Sequence, residues 1–316
     1  MPEVVDVSFL AHGETCAGWH LTGEGDAFAG DRGRPCVVMA HGFAATRDSG
    51  LLPFAEAFAE AGLDTLLFDY RCFGDSSGEP RQFAMPSRHR DDYRAAVEFA
   101  RGLDGVDPER IVLWGTSWSG GHVVYVAAGD PRIAAIVCQT PDLDGVRALE
   151  QIRRYAGLGH QLRLGALGVK DGIGSLFGRE PVMVPVVGRP GELAVMSSDE
   201  AEPGMRAIAG PTWRNEVTAR GASAEMFNRP ITKIDQVRCP ILVQIADRDS
   251  VAPAAATRAA AWRAKGRVEV REYPLAHFDI YVGGGRERAV RDQLQFLRRH
   301  LGAVEAEVPA ALSSQT

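Results

Sequence analysis

Apolar residues fall along the chain in short bursts separated by amphipathic stretches. Cys36-Val-Val-Met-Ala40, Asp64-Thr-Leu-Leu-Phe-Asp69, Ile111–Trp114, Ile133–Gln139 and Ile241–Ile245 are runs bounded by breakers. Such runs predict strands buried on both faces. Val4–Leu10 and Gly18–Leu21 read as an edge hairpin, and Val268–Tyr273 as a last strand. Between them lie helical segments: Leu51–Ala61, a stretch capped by Ser87 and running to Ala100, Ser117–Ala128, Ala254–Lys265 and Arg286–Leu301. In the second of these, Tyr93, Ala96, Val97 and Ala100 follow the i, i+3, i+4, i+7 pattern. In the last, Val290, Leu294, Leu297 and Leu301 share one face. Strands alternating with helices predict a mostly parallel, doubly wound α/β sheet, which binds ligands at the carboxyl ends of its strands.

The alternation stops between about Asp142 and Val237, a Gly- and Pro-rich stretch with scattered Met and aromatic residues. It predicts a cap insertion (142–236) folding over the strand ends of a core made of 1–141 and 237–302. The tail, 303–316, is small and polar enough to fray.

The chain has 316 residues, 45% hydrophobic, with 35 Lys+Arg against 41 Asp+Glu. That composition excludes wholesale disorder, and its mild acidity argues against a nucleic-acid partner. No apolar run reaches the ~20 residues of a membrane span, and the first residues lack the pattern of a signal peptide. The five cysteines are scattered without a CxxC pair, so a reduced, cytoplasmic protein is expected, and a homodimer remains open.

The chemistry concentrates after the strands. In Gly115-Thr-Ser117-Trp-Ser119-Gly120 a strand runs into a tight turn and then a helix. Small residues two before and two after Ser117 let strand and helix approach, so that its hydroxyl projects at the top of the sheet. Ser119 stands where such turns more often have Gly. A nucleophilic serine needs a neutral imidazole. Of eight histidines only His41 and His277 lie just past a core strand, and His277, on the loop after the last strand, fits best; His41 reads as a buttress of its loop. A carboxylate must orient the imidazole. Asp247 and Asp249 both follow Ile241–Ile245; Asp249 is preferred, with Asp142 and Asp279 in reserve. The backbone N–H groups of Phe43 and Trp118 are the expected oxyanion donors, and His41, Phe43, Trp118 and Tyr281 the expected pocket lining. Gly283-Gly-Gly285 lacks a nucleotide-loop setting and reads as a flexible lead into the last helix.

The order Ser117, Asp249, His277, together with Asp69-Tyr-Arg71-Cys-Phe-Gly74-Asp-Ser-Ser-Gly78, resembles the α/β-hydrolase superfamily, nearest its bacterial branch of dienelactone hydrolases and X-Pro dipeptidyl-peptidase-like esterases. Cys72 stands where the family's loop has Gly, which implies a slightly altered loop. The resemblance implies an eight-stranded sheet and a serine hydrolase without metal or cofactor, acting on a small-molecule ester, thioester or lactone. A peptidase, a C–C bond hydrolase, an acyltransferase and a non-catalytic ligand receptor are the alternatives. Ser117 at the nucleophile position argues against dehalogenase and Asp-type epoxide hydrolase chemistry.

Overall fold

The computed structural model describes residues 1–264 and 266–302. The expected tail and Lys265, the expected end of a helix, lie outside them. In chain order the main elements are β1 (Val4–Ala11), β2 (Glu14–Leu21), β3 (Arg34–Ala40), α1 (Leu52–Glu60), β4 (Asp64–Phe68), α2 (Pro86–Arg101), β5 (Val106–Thr116), α3 (Trp118–Gly129) and β6 (Ile133–Gln139). Then follow α4 (Gly145–Ala156), α5 (Leu158–Leu176), β7 (Met183–Val184), α6 (Ala201–Ile208), β8 (Val217–Thr218) and α7 (Ala219–Ser223). The chain ends with β9 (Ile241–Ala246), α8 (Ala254–Arg263), β10 (Val268–Tyr273) and α9 (Gly283–Leu301).

Eight strands form one sheet in the order β1-β2-β4-β3-β5-β6-β9-β10. The β1–β2 hairpin pairs antiparallel and joins β4 antiparallel; every other pairing is parallel. The central strands are apolar on both faces because helices cover both. Val37–Ala40 and Ile111–Trp114 are wholly buried. All five cysteines are buried and free, packing as small apolar residues. No helix among the described residues is long and apolar enough to cross a membrane.

Three local expectations need correction. Helix α2 starts at Pro86, not at a Ser87 cap; Met85 occupies the cap position without a side-chain bond, and proline suits the first helical position because its missing N–H would be unpaired there anyway. Gly283–Gly285 form the first turn of α9 rather than a loose lead. A Cβ at Gly285 would come within 2.1 Å of the Asp279 carbonyl oxygen, so glycine is what lets the helix start that close. The buried face of α9 comprises Ala289, Gln293, Phe296, Leu297 and Leu301, with Val290 and Leu294 at its edge. Gln293 is buried because it ties the sheet to the helix: its amide donates to Gln139 (2.9 Å) and Gln244 (2.6 Å), and it accepts from Trp114 Nε1 (3.2 Å). A polar residue with every bond satisfied is invisible to a hydrophobicity pattern.

Candidate active site

Four connections leave the carboxyl ends of β3, β5, β9 and β10, and each carries one piece of the site. After β5, Ser117 adopts φ 55°, ψ −122°, a region that costs a non-glycine residue on the order of 1–3 kcal/mol. The turn is over-determined by its surroundings. The Ser117 N–H donates to Gln139 O (2.8 Å), and its carbonyl accepts from Gly120 (3.0 Å) and Asp142 (2.9 Å). Gly115 leaves no room for a side chain, since a Cβ would meet the Ser119 carbonyl oxygen at 2.3 Å. Ser119, the departure from the usual glycine, stitches the turn: its hydroxyl accepts from Thr116 N–H (2.8 Å) and lies 2.8 Å from Ala40 O.

His277, on the loop after β10, is 2% exposed. Its Nε2 lies 3.1 Å from Ser117 Oγ, and its Nδ1 lies 2.7 Å from Asp249 Oδ2. Asp249, in the loop after β9, also accepts from the N–H groups of Val251 (2.8 Å) and Ala252 (2.7 Å) through Oδ1. Asp247 instead uses its backbone N–H on Tyr273 O, and Asp279 accepts from the Ala276 N–H. The structure thus brings together Ser117, His277 and Asp249 and leaves Asp247 and Asp279 out of that line.

The electrostatics follow from burial and these contacts. Burial opposes a charge on His277, but the Asp249 carboxylate outweighs it, helped by Glu200 and Asp142, and the imidazole sits above its ordinary value. Burial raises the Asp249 carboxyl, and His277 with the Ala252 and Val251 N–H groups offsets part of the rise. His41 is different: burial pushes it down to about 4, so it is neutral near pH 7. Its Nδ1 lies 2.9 Å from its neighbour's carbonyl, Gly42 O.

The loop after β3 crowds the serine. A Cβ at Gly42 would sit 3.0 Å from Ser117 Cβ, so any larger residue there would crowd the serine. The N–H groups of Phe43 and Trp118 find no acceptor among the described residues. Free backbone donors beside a serine hydroxyl are what a developing oxyanion requires. A small cavity of about 30 Å³ opens over Ser117 and is lined by His41, Phe43, Tyr281 and His277, with Met205 and Ile208 of α6 opposite. Trp118 lines a second cavity on the other side of Ser117, and its ring meets Phe43 edge-on at 5.0 Å. Tyr281 spends its hydroxyl on Thr116 Oγ1 (2.5 Å). Among the described residues no cluster of three His, Cys, Asp or Glu side chains is arranged to hold a metal ion.

One residue escaped the sequence reading. Glu200, just before α6, accepts from the His277 N–H (2.8 Å) through one oxygen and from the Ser250 N–H (2.7 Å) and hydroxyl (2.5 Å) through the other. It clasps the loop of Asp249 to the loop of His277.

The loop after β4 also keeps its glycine geometry without the glycine. Cys72 takes φ 73°, while Gly74 and Gly78 also have positive φ. A Cβ at Gly74 would run into the Asp69 carboxylate.

The family described by the alpha/beta hydrolase fold matches residues 35–165. The quorum-quenching protein AidA of Acinetobacter baumannii (strain MDR-ZJ06) is 41% identical over 267 residues, which is 84% of this chain and 86% of that protein. The chain belongs to the α/β-hydrolase family. This α/β hydrolase is also similar to the polyketide transferase af380 of Aspergillus fumigatus, 28% identical over 91% of this chain and 96% of the relative. The crystal structure of the α/β hydrolase GrgF from Penicillium sp. sh18 superposes with a TM-score of 0.78 at 24% identity, covering 95% of this chain and 99% of that one. The last likeness speaks to fold alone.

Proposed function

We propose that this α/β hydrolase is a serine hydrolase that opens a carboxylic ester, thioester or lactone through an acyl-enzyme on Ser117. The observation that carries the reading is the unbroken line of contacts Ser117 Oγ, His277 Nε2, His277 Nδ1, Asp249 Oδ2 at one rim of the sheet. His277 takes the Ser117 proton as Oγ attacks the carbonyl carbon, and Asp249 stabilises the resulting imidazolium. The N–H groups of Phe43 and Trp118 receive the oxyanion. The tetrahedral adduct collapses, the bond to the leaving group breaks, and His277 hands its proton to that group. Water, deprotonated by the same imidazole, then attacks the acyl-enzyme; the acid leaves and Ser117 regains its proton.

The segment between β6 and β9 serves as a cap in this reading, because Met196, Met205 and Ile208 lie in it and face the cavity over Ser117. A second reading, transfer of the acyl group to an alcohol rather than water, uses the same residues and is favoured by the name of the polyketide transferase relative. Turnover of activated esters by the wild-type protein and by Ser117→Ala tests the proposal. Catalysis on the wild type that falls by ~10⁴-fold or more in the variant is expected; near-normal turnover by Ser117→Ala rejects it, and saturable binding without turnover by the wild type indicates a receptor instead. Adding an alcohol acceptor and measuring the ratio of ester product to free acid separates transfer from hydrolysis.

A further inference from the structure

The space over Ser117 is too small for an acyl chain, at about 30 Å³, yet it does not stand alone. On the Trp118 side a second cavity of about 50 Å³ shares Phe43, Ser117 and Met196 with the first. That second cavity shares Ile152, Val195 and Glu225 with a third, of about 220 Å³, which lies between α4 and α5. Successive cavities thus have walls in common, from the serine to the third, the largest of the three. Leu149, Ile152, Leu164, Val195, Ala222 and Met226 give the third cavity its walls. Met226, at its margin, is half exposed.

We propose that the cavity between α4 and α5 is the subsite for the apolar tail of the acyl group, reached from Ser117 past Glu225. The proposal rests on the acyl-enzyme reading of Ser117 and names the substrate class within it: acyl groups with a medium or long hydrocarbon chain. Burial of such a tail in an apolar space is favourable in proportion to the area withdrawn from water. The neck is polar. Both Glu225 oxygens are shut from solvent, beside the buried Trp118 indole N–H, the Asn228 amide and the Asp142 carboxyl. Burial first, and the neighbouring Asp142 carboxyl second, hold the Glu225 carboxyl well above its usual range. The neck is thus lined by polar groups, while the wall of the cavity beyond is mostly apolar, with Gln161, Ser223 and Glu225 as its polar members.

Gly165 of α5 gives a direct test. It lines the third cavity, and a Cβ built on it meets nothing within 4 Å. Gly165→Trp therefore introduces an indole into the lining of that cavity at a position where the first side-chain carbon has room. Gly172→Trp, on the same helix, open in the same way and outside the cavity lining, is the control. Hydrolysis of butyryl, octanoyl and dodecanoyl activated esters is measured for all three proteins. For the wild type and Gly172→Trp the expected kcat/KM rises by about tenfold or more from butyryl to the longer chains. In Gly165→Trp the rise disappears while butyryl turnover stays within about threefold of wild type. A wild type indifferent to chain length, a Gly165→Trp that keeps its long-chain preference, or equal losses on all three esters would overturn the subsite. Failure of the acyl-enzyme reading itself looks different: Ser117→Ala retains turnover, or no ester of any length reacts.

Discussion

The sheet with its flanking helices and the segment between β6 and β9 are built to different standards. In α3, which starts at the serine, nine of twelve residues are buried; in α5, of nineteen residues, only Gly168 and Asp171 are. The α5 sequence also spends five positions on glycine, at 159, 165, 168, 172 and 174, each of which weakens a helix interior relative to alanine. The strained Ser117 turn needs a rigid frame to hold it, and the core provides one through backbone bonds with Gln139, Asp142 and Gly120. The loosely packed segment contributes the walls of the cavities. In the proposed reaction, rigid parts would place the reacting atoms and softer parts would decide what reaches them.

Breaking the soft region should leave the hard one standing. Asp171 is the main polar anchor inside it: its carboxylate accepts from the N–H groups of Val182 (3.0 Å) and Arg220 (2.9 Å) and pairs with the Arg220 guanidinium at 2.8 Å. Asp171→Ala is expected to destabilise this segment by about 3 kcal/mol. Limited proteolysis should then cut within 142–236 well before the core unfolds. Protection of that segment equal to wild type would mean that it is held by the core rather than by itself.

Glu200 is where the comparison is least clean, because a residue of the soft segment supports the hard site. Glu200→Gln keeps the size and one acceptor but removes the charge. We expect kcat/KM to fall by about tenfold. The pH profile gives the sharper reading. The imidazole must be neutral to act as base, so kcat/KM should rise with pH through its folded pKa. That pKa lies above 6.5 because the Asp249 contribution, aided by Glu200 and Asp142, overcomes the effect of burial. The groups facing His277 are thus Ser117, Asp249, Glu200, Asp142 and the ring of Tyr281. Removing the Glu200 charge withdraws one stabiliser of the imidazolium, so the rising limb should move to lower pH. A loss of rate without any move of that limb would make the role of Glu200 one of packing alone.

The smallest effect sharpens the comparison rather than breaking it. A Cβ at Gly172 meets nothing within 4 Å, so Gly172→Ala should stabilise α5 by about 0.5–1 kcal/mol. Slower amide hydrogen exchange across α5, with kcat unchanged, is the expected outcome. A lower kcat would show that the softness of α5 is itself used in turnover.

The sheet was legible in the sequence because its strands are apolar on both faces and end at breakers, and the pieces of the site follow those ends. Ser117 comes directly after β5 and Asp249 soon after β9, whereas His277 follows β10, a strand with Glu269, Arg271 and Glu272 that was legible from its place in the alternation. Glu200 was not legible, since a carboxylate beside the start of a helix looks the same as its neighbours Asp199 and Glu202, and only the folded chain aims it at the His277 N–H. Gln293 was not legible as a buried residue either: it sits on a buried face and owes its place to three hydrogen bonds. Pro86 and Gly285 show where local rules applied at a boundary the hydrophobic pattern blurs. The internal layout of 142–236 stayed unread because short helices with many glycines carry little periodicity.

The central claim is that the Ser117 hydroxyl is activated by His277. Labelling with a fluorophosphonate, followed by mapping of the adduct by mass spectrometry, tests it most directly. The account predicts a single adduct on Ser117 in the wild type, absent in Ser117→Ala, and slowed by ~10³-fold or more in His277→Ala. An adduct on a different serine, or labelling of Ser117 at an undiminished rate in His277→Ala, would contradict it.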